Sequence, residues 1–268
     1  MPRFAANLST LYPEHAFLDR AEAAARDGFA AVECQFPYEH GIERFRERLD
    51  ATRLSLVLLN APAGDWPRGE RGFAAVPGRE AEFRRSVEQG MDACERLGSP
   101  RLHLLAGCRA QGFDAAAHAA WQATYLANLE WAARRAEGRG LTLLIEPLNP
   151  RDVPGYFLSR QDHAHAIVAA VGAAHLQVQM DLYHCALVEG DLAAQLARWL
   201  PGGRVGHLQI AGVPARQEPD RGEVDFGGLF ERIDALGWAG WVGCEYRPRA
   251  GTSEGLVWRE RLGAQRQR

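Results

Sequence analysis

Short apolar runs, each closed by a polar side chain, recur along this chain, and stretches of helical period separate them. Leu141-Thr142-Leu143-Leu144-Ile145 runs into Glu146 and is stopped by Pro147, which cannot donate to a sheet ladder. The same pattern closes runs at Asn7, Glu33, Asn60, His103, Asp181, Gln209 and Glu245, which predicts eight strands. Amphipathic spacing and stop signals predict helices over 13–27, 42–51, 79–97 and 114–137. Four more are expected: one capped by Ser159 and carrying His163, Ile167 and Val171, one capped by Asp191, one around Leu229, Ile233 and Leu236, and a last one capped by Ser253. Strict strand–helix alternation implies a parallel sheet, and eight such units suit one closed (β/α)8 TIM barrel domain over 1–268 with a frayed tail at 265–268. An open doubly wound sheet is the rival, but no glycine-rich phosphate loop follows the first strand.

One connection breaks the rhythm. Residues 61–78 hold Pro62, Gly64, Pro67, Gly69, Gly72, Pro77 and Gly78, a density of breakers that predicts a long loop of the kind that serves as a lid. Trp66 and Phe73 on it either pack back on the scaffold or cap a pocket.

Composition narrows the setting. With 47% hydrophobic residues in 268 the chain can bury a full core, and 31 basic against 34 acidic residues form no basic stripe, so nucleic acid is not an expected partner. Five scattered cysteines without a CxxC pair fit a reducing compartment. No leader-like apolar segment and no 18-residue apolar run occurs, so the expectation is a cytoplasmic protein with no membrane partner; formation of a homo-oligomer stays open.

In such barrels the chemistry sits at the C-terminal strand ends. Glu146, Asp181, Gln209 and Glu245 end four consecutive predicted strands, and side-chain alternation places Leu144 with Glu146 and Gln179 with Asp181 on one face. One strand-end carboxylate could merely cap a loop. Three with an amide between them would repel one another without a cation. An all-oxygen set favours Mg²⁺ or Mn²⁺ over zinc. Barrels that cut DNA at abasic sites need many His ligands, whereas His15, His118, His163, His165 and His175 fall in predicted helices or linkers.

Phe4-Ala5-Ala6-Asn7-Leu8-Ser9, Leu59-Asn60-Ala61-Pro62-Ala63-Gly64-Asp65, Glu146-Pro147-Leu148-Asn149-Pro150, His207-Leu208-Gln209-Ile210-Ala211-Gly212 and Gly243-Cys244-Glu245-Tyr246-Arg247-Pro248-Arg249 resemble the hydroxypyruvate isomerase family of the xylose-isomerase-like barrels. The resemblance implies a Mg²⁺- or Mn²⁺-type site made by Glu146, Asp181, Gln209 and Glu245, with Glu146 and Glu245 as catalytic acid and base. It implies interconversion of hydroxypyruvate and tartronate semialdehyde through an enediolate. Related ketose 3-epimerases carry His where Gln209 stands, which favours the isomerase branch. For the substrate carboxylate it implies Arg216, for which a solvated loop arginine is the alternative reading. His184, three after Asp181, is expected as a substrate or supporting donor; His103, Asn7 and Arg247 are further candidates. Arg247 replaces a frequent Lys, a change of donor geometry at equal charge. His207 lies one layer deeper than Gln209, so packing is expected of it. Other readings are a 2-oxotetronate isomerase, a ketose 3-epimerase, a polyol dehydratase and a non-catalytic sugar-acid binding protein.

Overall fold

The structure, a computed structural model, describes residues 1–109 and 113–264. The expected frayed tail, 265–268, lies outside the described residues. Eight parallel strands close a barrel in chain order: β1 Arg3–Asn7, β2 Ala31–Cys34, β3 Ser55–Asn60, β4 Arg101–His103, β5 Thr142–Ile145, β6 Leu176–Asp181, β7 Val205–Ile210 and β8 Trp241–Cys244. The register aligns the polar ends, pairing Asn7 with Glu33, Asn60 with His103 and Asp181 with Gln209. The predicted (β/α)8 barrel is therefore the observed one.

The helices are α1 Arg20–Arg26, α2 Ile42–Thr52, α3 Glu80–Leu97, α4 Ala115–Glu137, α5 Gln161–Val171, α6 Leu182–Glu189, α7 Leu192–Trp199, α8 Phe226–Ala235, α9 Thr252–Gly255 and α10 Val257–Ala264. Their apolar faces pack on the outer faces of the strands, burying Phe45, Val87, Met91, Leu129, Ile167, Leu196 and Ile233. No helix among the described residues is long and apolar enough to cross a membrane. All five cysteines are free.

Four expectations need correction. The helix expected over 13–27 is only α1, preceded by a single 3₁₀ turn, because Tyr12 takes a positive φ of 59° and Ala16 an extended conformation. Ser159 does not cap α5. Arg160 holds the cap position without a side-chain bond, and the Gln161 N–H donates at 2.6 Å to Glu189 at the end of α6. Ser253 lies inside α9 and donates to Asp27 at 2.7 Å instead of capping. The eight-helix count missed α6, which starts directly from the end of β6, with Asp181 as its N-cap accepting from Tyr183 N–H at 2.8 Å. The Asp191 cap forms as expected, and Asp114, at the expected start of α4, caps that helix by accepting from Ala117 N–H.

The seam between β1 and β8 is fastened by the segment after β8. Tyr12 N–H donates to Thr252 Oγ1 at 2.6 Å, and Thr252 N–H donates to Glu14 at 3.0 Å. The Trp258 ring stands edge-on to Phe4 with centroids 5.1 Å apart, and its N–H donates to Tyr246 Oη at 3.0 Å. Arg259 reaches the Asp27 carbonyl.

Candidate active site

Side chains from the C-terminal halves of all eight strands converge on one cavity of about 90 Å³, with Gln179 rather than Asp181 in its lining from β6. Asn7, Glu33, Asn60, His103, Glu146, Gln179, Gln209 and Glu245 line it from the barrel. The loops add Gln35, Trp66, Arg71 and Arg216, and α6 adds His184. Arg247 is exposed and outside that lining; its backbone N–H donates to the Arg216 carbonyl at 2.8 Å.

A hydrogen-bonded network runs across the floor. Glu33, fully buried, accepts from Asn7 Nδ2 at 2.9 Å, Gln209 Nε2 at 2.7 Å and His207 Nε2 at 2.6 Å. Gln209 Nε2 also donates to Glu245 Oε2 at 2.7 Å, and Gln209 Oε1 accepts from Gln179 Nε2 at 2.6 Å. Two carboxylate oxygens facing one amide nitrogen fix its orientation. His207, expected to pack, is thus a hydrogen-bonding member of this floor.

Above it lies the charged layer. Arg216, in the loop after β7, stands 3.2 Å from Glu245 Oε1 and 3.8 Å from Asp181 and Asp152, with its guanidinium 5.0 Å over the Tyr183 ring. Burial works against its charge, and Glu245, Asp181 and Glu146 more than restore it. Glu245 Oε1 also accepts from Gln35 Nε2 at 2.9 Å. Burial raises the Glu245 pKa to about 7 against the pull of Arg216, and raises Asp181 to about 6. Glu146 is pushed well above the carboxylate range by burial and by the charges of Glu245 and Asp181.

The two histidines at the rim are neutral donors. His184 Nδ1 accepts from Asn149 N–H at 3.1 Å, so Nε2 carries the hydrogen, 3.6 Å from Asp181 Oδ2. His103 Nδ1 faces Asn60 Oδ1 at 3.2 Å and Glu146 Oε2 at 3.7 Å, and burial lowers its pKa to about 3.

The donor set suits a divalent cation. Ligand atoms of Glu146, Asp181 and His184 lie within 4.8 Å of one another, and Asp181 Oδ2 is buried with no hydrogen-bond partner. Of these three, His184 is the poor ligand, because the nitrogen facing Asp181 bears a hydrogen. The Gln209 oxygen accepts from Gln179 and keeps one lone pair for a cation.

The structure brings Glu146, Asp181, Gln209, Glu245, Arg216, His184, His103 and Asn7 together. Sequence reasoning missed Glu33, Gln35, Gln179 and Arg71 as parts of the site. Glu33 carried the same strand-end signal as the others, and Gln179 shares a face with Asp181. Nothing local marks Gln35 or Arg71.

The xylose isomerase-like TIM barrel family model matches residues 21–266. A 2-oxo-tetronate isomerase from Cupriavidus necator is 57% identical over 96% of this chain and 97% of its own. The hydroxypyruvate isomerase of Escherichia coli is 42% identical over 96% of this chain and 98% of its own. A Brucella melitensis crystal structure described as an AP endonuclease, family 2, superimposes with TM-score 0.93 at 42% identity, over 97% of this chain and 99% of that one. The chain belongs to the xylose isomerase-like TIM barrel family, and within it to the group of hydroxypyruvate and 2-oxo-tetronate isomerases.

Proposed function

We propose that this isomerase moves a carbonyl between C2 and C3 of a small hydroxy-oxo acid, with 2-oxotetronate as its preferred substrate and hydroxypyruvate as the second. The observation that carries the reaction is the pair Glu146 and Glu245, at the ends of two strands that are not neighbours in the ring, facing one small cavity. The preference between the acids rests on identity, 57% to the Cupriavidus necator relative against 42% to the Escherichia coli one.

Arg216, Gln35 and Gln209 hold Glu245 as a carboxylate that takes the proton from C3. Glu146, raised by burial and by the charges of Glu245 and Asp181, delivers a proton to C2, and the proton that Glu245 gained returns to Glu146 through solvent before the next turnover. A hydroxyl proton passes from O3 to O2, so the enediolate collapses without consuming any co-reactant. A divalent cation, Mg²⁺ or Mn²⁺, held by Asp181 and one oxygen of Glu146, with Glu245 and Gln209 as the further ligands the family suggests, would supply positive charge for the two substrate oxygens and leave the second oxygen of each Glu to accept or return a proton. His184 Nε2–H donates to a substrate oxygen in this reading, supported by its position beside Asp181 at the cavity. Incision of DNA gets no support from the three barrel histidines, since His207, His184 and His103 already face Glu33, Asp181 and Glu146.

The test is a panel of both acids and a ketohexose, followed by NMR in deuterated water. Carbonyl migration with deuterium at C2 in the acids is expected. Epimerisation of the ketohexose with neither acid touched would replace the proposal by a 3-epimerase.

A further inference from the structure

The isomerase reading leaves the substrate's own carboxylate without a partner. Its negative charge has to enter a cavity that Glu33, Glu146 and Glu245 already line. Arg216 is committed elsewhere, within 4 Å of Glu245, Asp181 and Asp152. A guanidinium bonded to several carboxylates is a weak receptor for one more, because each new anion meets the repulsion of those already there.

Arg71 stands differently. Among the described residues that line the cavity it is the second arginine, and no carboxylate lies within ion-pair distance of it. Its NH1 donates to the backbone carbonyls of Trp66 at 3.0 Å and Glu70 at 2.7 Å. The guanidinium carbon lies 3.7 Å over the Trp66 ring. These contacts hold the planar group in place and leave NH2 and Nε without a protein acceptor among the described residues, a free edge of the geometry that takes a carboxylate in two parallel bonds. The carboxylate nearest in sequence is held away, since Glu70 accepts from Asp65 N–H at 2.6 Å and pairs with Arg79.

The backbone under Arg71 is also fixed. Gly72 forms an antiparallel bridge with Ala106, donates to the Ala63 carbonyl at 2.9 Å, and has φ +94°. A Cβ there would overlap the Leu105 carbonyl, so only glycine lets the loop approach β4 this closely. The loop 61–78 thus presents Arg71 from a braced hairpin. Of its two large apolar residues, Phe73 is buried in the core and Trp66 lines the cavity.

We propose that Arg71 binds the substrate carboxylate, stacked on Trp66, and so selects acids over neutral hydroxy-ketones. This rests on the isomerase reading for the identity of the substrate, while the anion site itself can be tested without turnover. The probe is glycerate, a hydroxy acid with no carbonyl to move, titrated by calorimetry into the parent enzyme, Arg71→Met and Arg71→Lys. Loss of one charged hydrogen-bonded pair predicts roughly 10- to 100-fold weaker glycerate binding in Arg71→Met, with Arg71→Lys in between. For the acids KM should rise by a similar factor with kcat little changed, while KM for dihydroxyacetone stays as in the parent. Glycerate affinity unchanged in Arg71→Met, or lost equally in Arg216→Met with Arg71 intact, overturns the proposal. A parent that binds glycerate through Arg71 yet isomerises neither acid upholds the anion site and removes the isomerase reading.

Discussion

Glu33 and Gly243 meet at the closest packing in the cavity floor, and a double-mutant cycle there measures what the floor is worth. Gly243 faces Glu33 so closely that a Cβ would overlap both carboxylate oxygens. Its φ lies outside the left-handed range, so alanine there meets a steric obstacle and no backbone strain. Gly243→Ala must push the Glu33 carboxylate off its three donors, which costs about 1–3 kcal/mol for overpacking and more where bonds to Asn7, Gln209 and His207 are lost. Glu33→Ala removes the acceptor outright. It leaves those three donors without their acceptor beside the cavity, at about 1–3 kcal/mol each before relaxation and entry of water, so a loss of about 4 kcal/mol is expected. In the double variant the added methyl occupies space the carboxylate vacated. Its cost should nearly vanish, leaving a coupling energy of about 1–3 kcal/mol. Urea denaturation followed by tryptophan fluorescence reads all four corners. Glu33→Gln, with one oxygen and the same shape, should fall between parent and alanine. Strictly additive losses would show that the floor relaxes around either change and that Glu33 is not braced as described.

Three further outcomes follow from the site and its surroundings. Glu146→Gln and Glu245→Gln should each keep glycerate affinity and lower kcat by roughly 10²–10⁴, with the double variant hardly worse than the poorer single one; full activity in either would end its assignment as acid or base. A strong chelator should abolish turnover and Mg²⁺ or Mn²⁺ restore it, and Asp181→Asn should weaken Mn²⁺ binding at least about tenfold while His184→Ala barely changes it; Mn²⁺ affinity that depends on His184 would reverse that tautomer argument. His165, stacked on Trp199 at 3.9 Å, has its pKa lowered to about 4 by burial and by Arg204 and Arg198. Its depressed folded pKa means that the unfolded chain protonates first, so stability falls as pH drops from about 6.5 towards 4, by roughly 1–2 kcal/mol at pH 5. His165→Phe keeps the stack and should lose less between pH 7.5 and pH 5; equal acid sensitivity would clear His165 of that role.

The barrel was legible because each strand is an apolar run that must end where the chain leaves the sheet, and a polar residue marks that point. Asn7, Asp181 and Gln209 sit at strand ends, as expected, and the register then brings them level. What stayed hidden depends on contacts between distant segments. Ser159 looks like a cap, but the N–H it would serve is taken by Glu189 from another helix. The α6 segment Leu182–Glu189 is apolar on most sides, so periodicity could not separate it from the strand before it. Arg71 is an ordinary loop arginine until the Gly72–Ala106 bridge folds it over the cavity. Glu33 was visible as a strand-end carboxylate, yet nothing in Ala31-Val32-Glu33-Cys34 says that it would lie beneath Gln209.

The fastening of the β1–β8 seam sets an order of events during synthesis. Phe4, Tyr12 and Asp27 emerge from the ribosome early, while Trp258, Thr252, Ser253 and Arg259, which cover or bind them, emerge more than two hundred residues later. Through that interval the unpaired edge of β1 and the ring of Phe4 stay open to other strands and to chaperones. The first strand of this enzyme therefore waits longest for its second neighbour while the chain is being made, and a nascent chain halted before residue 241 should engage a chaperone that the finished barrel does not.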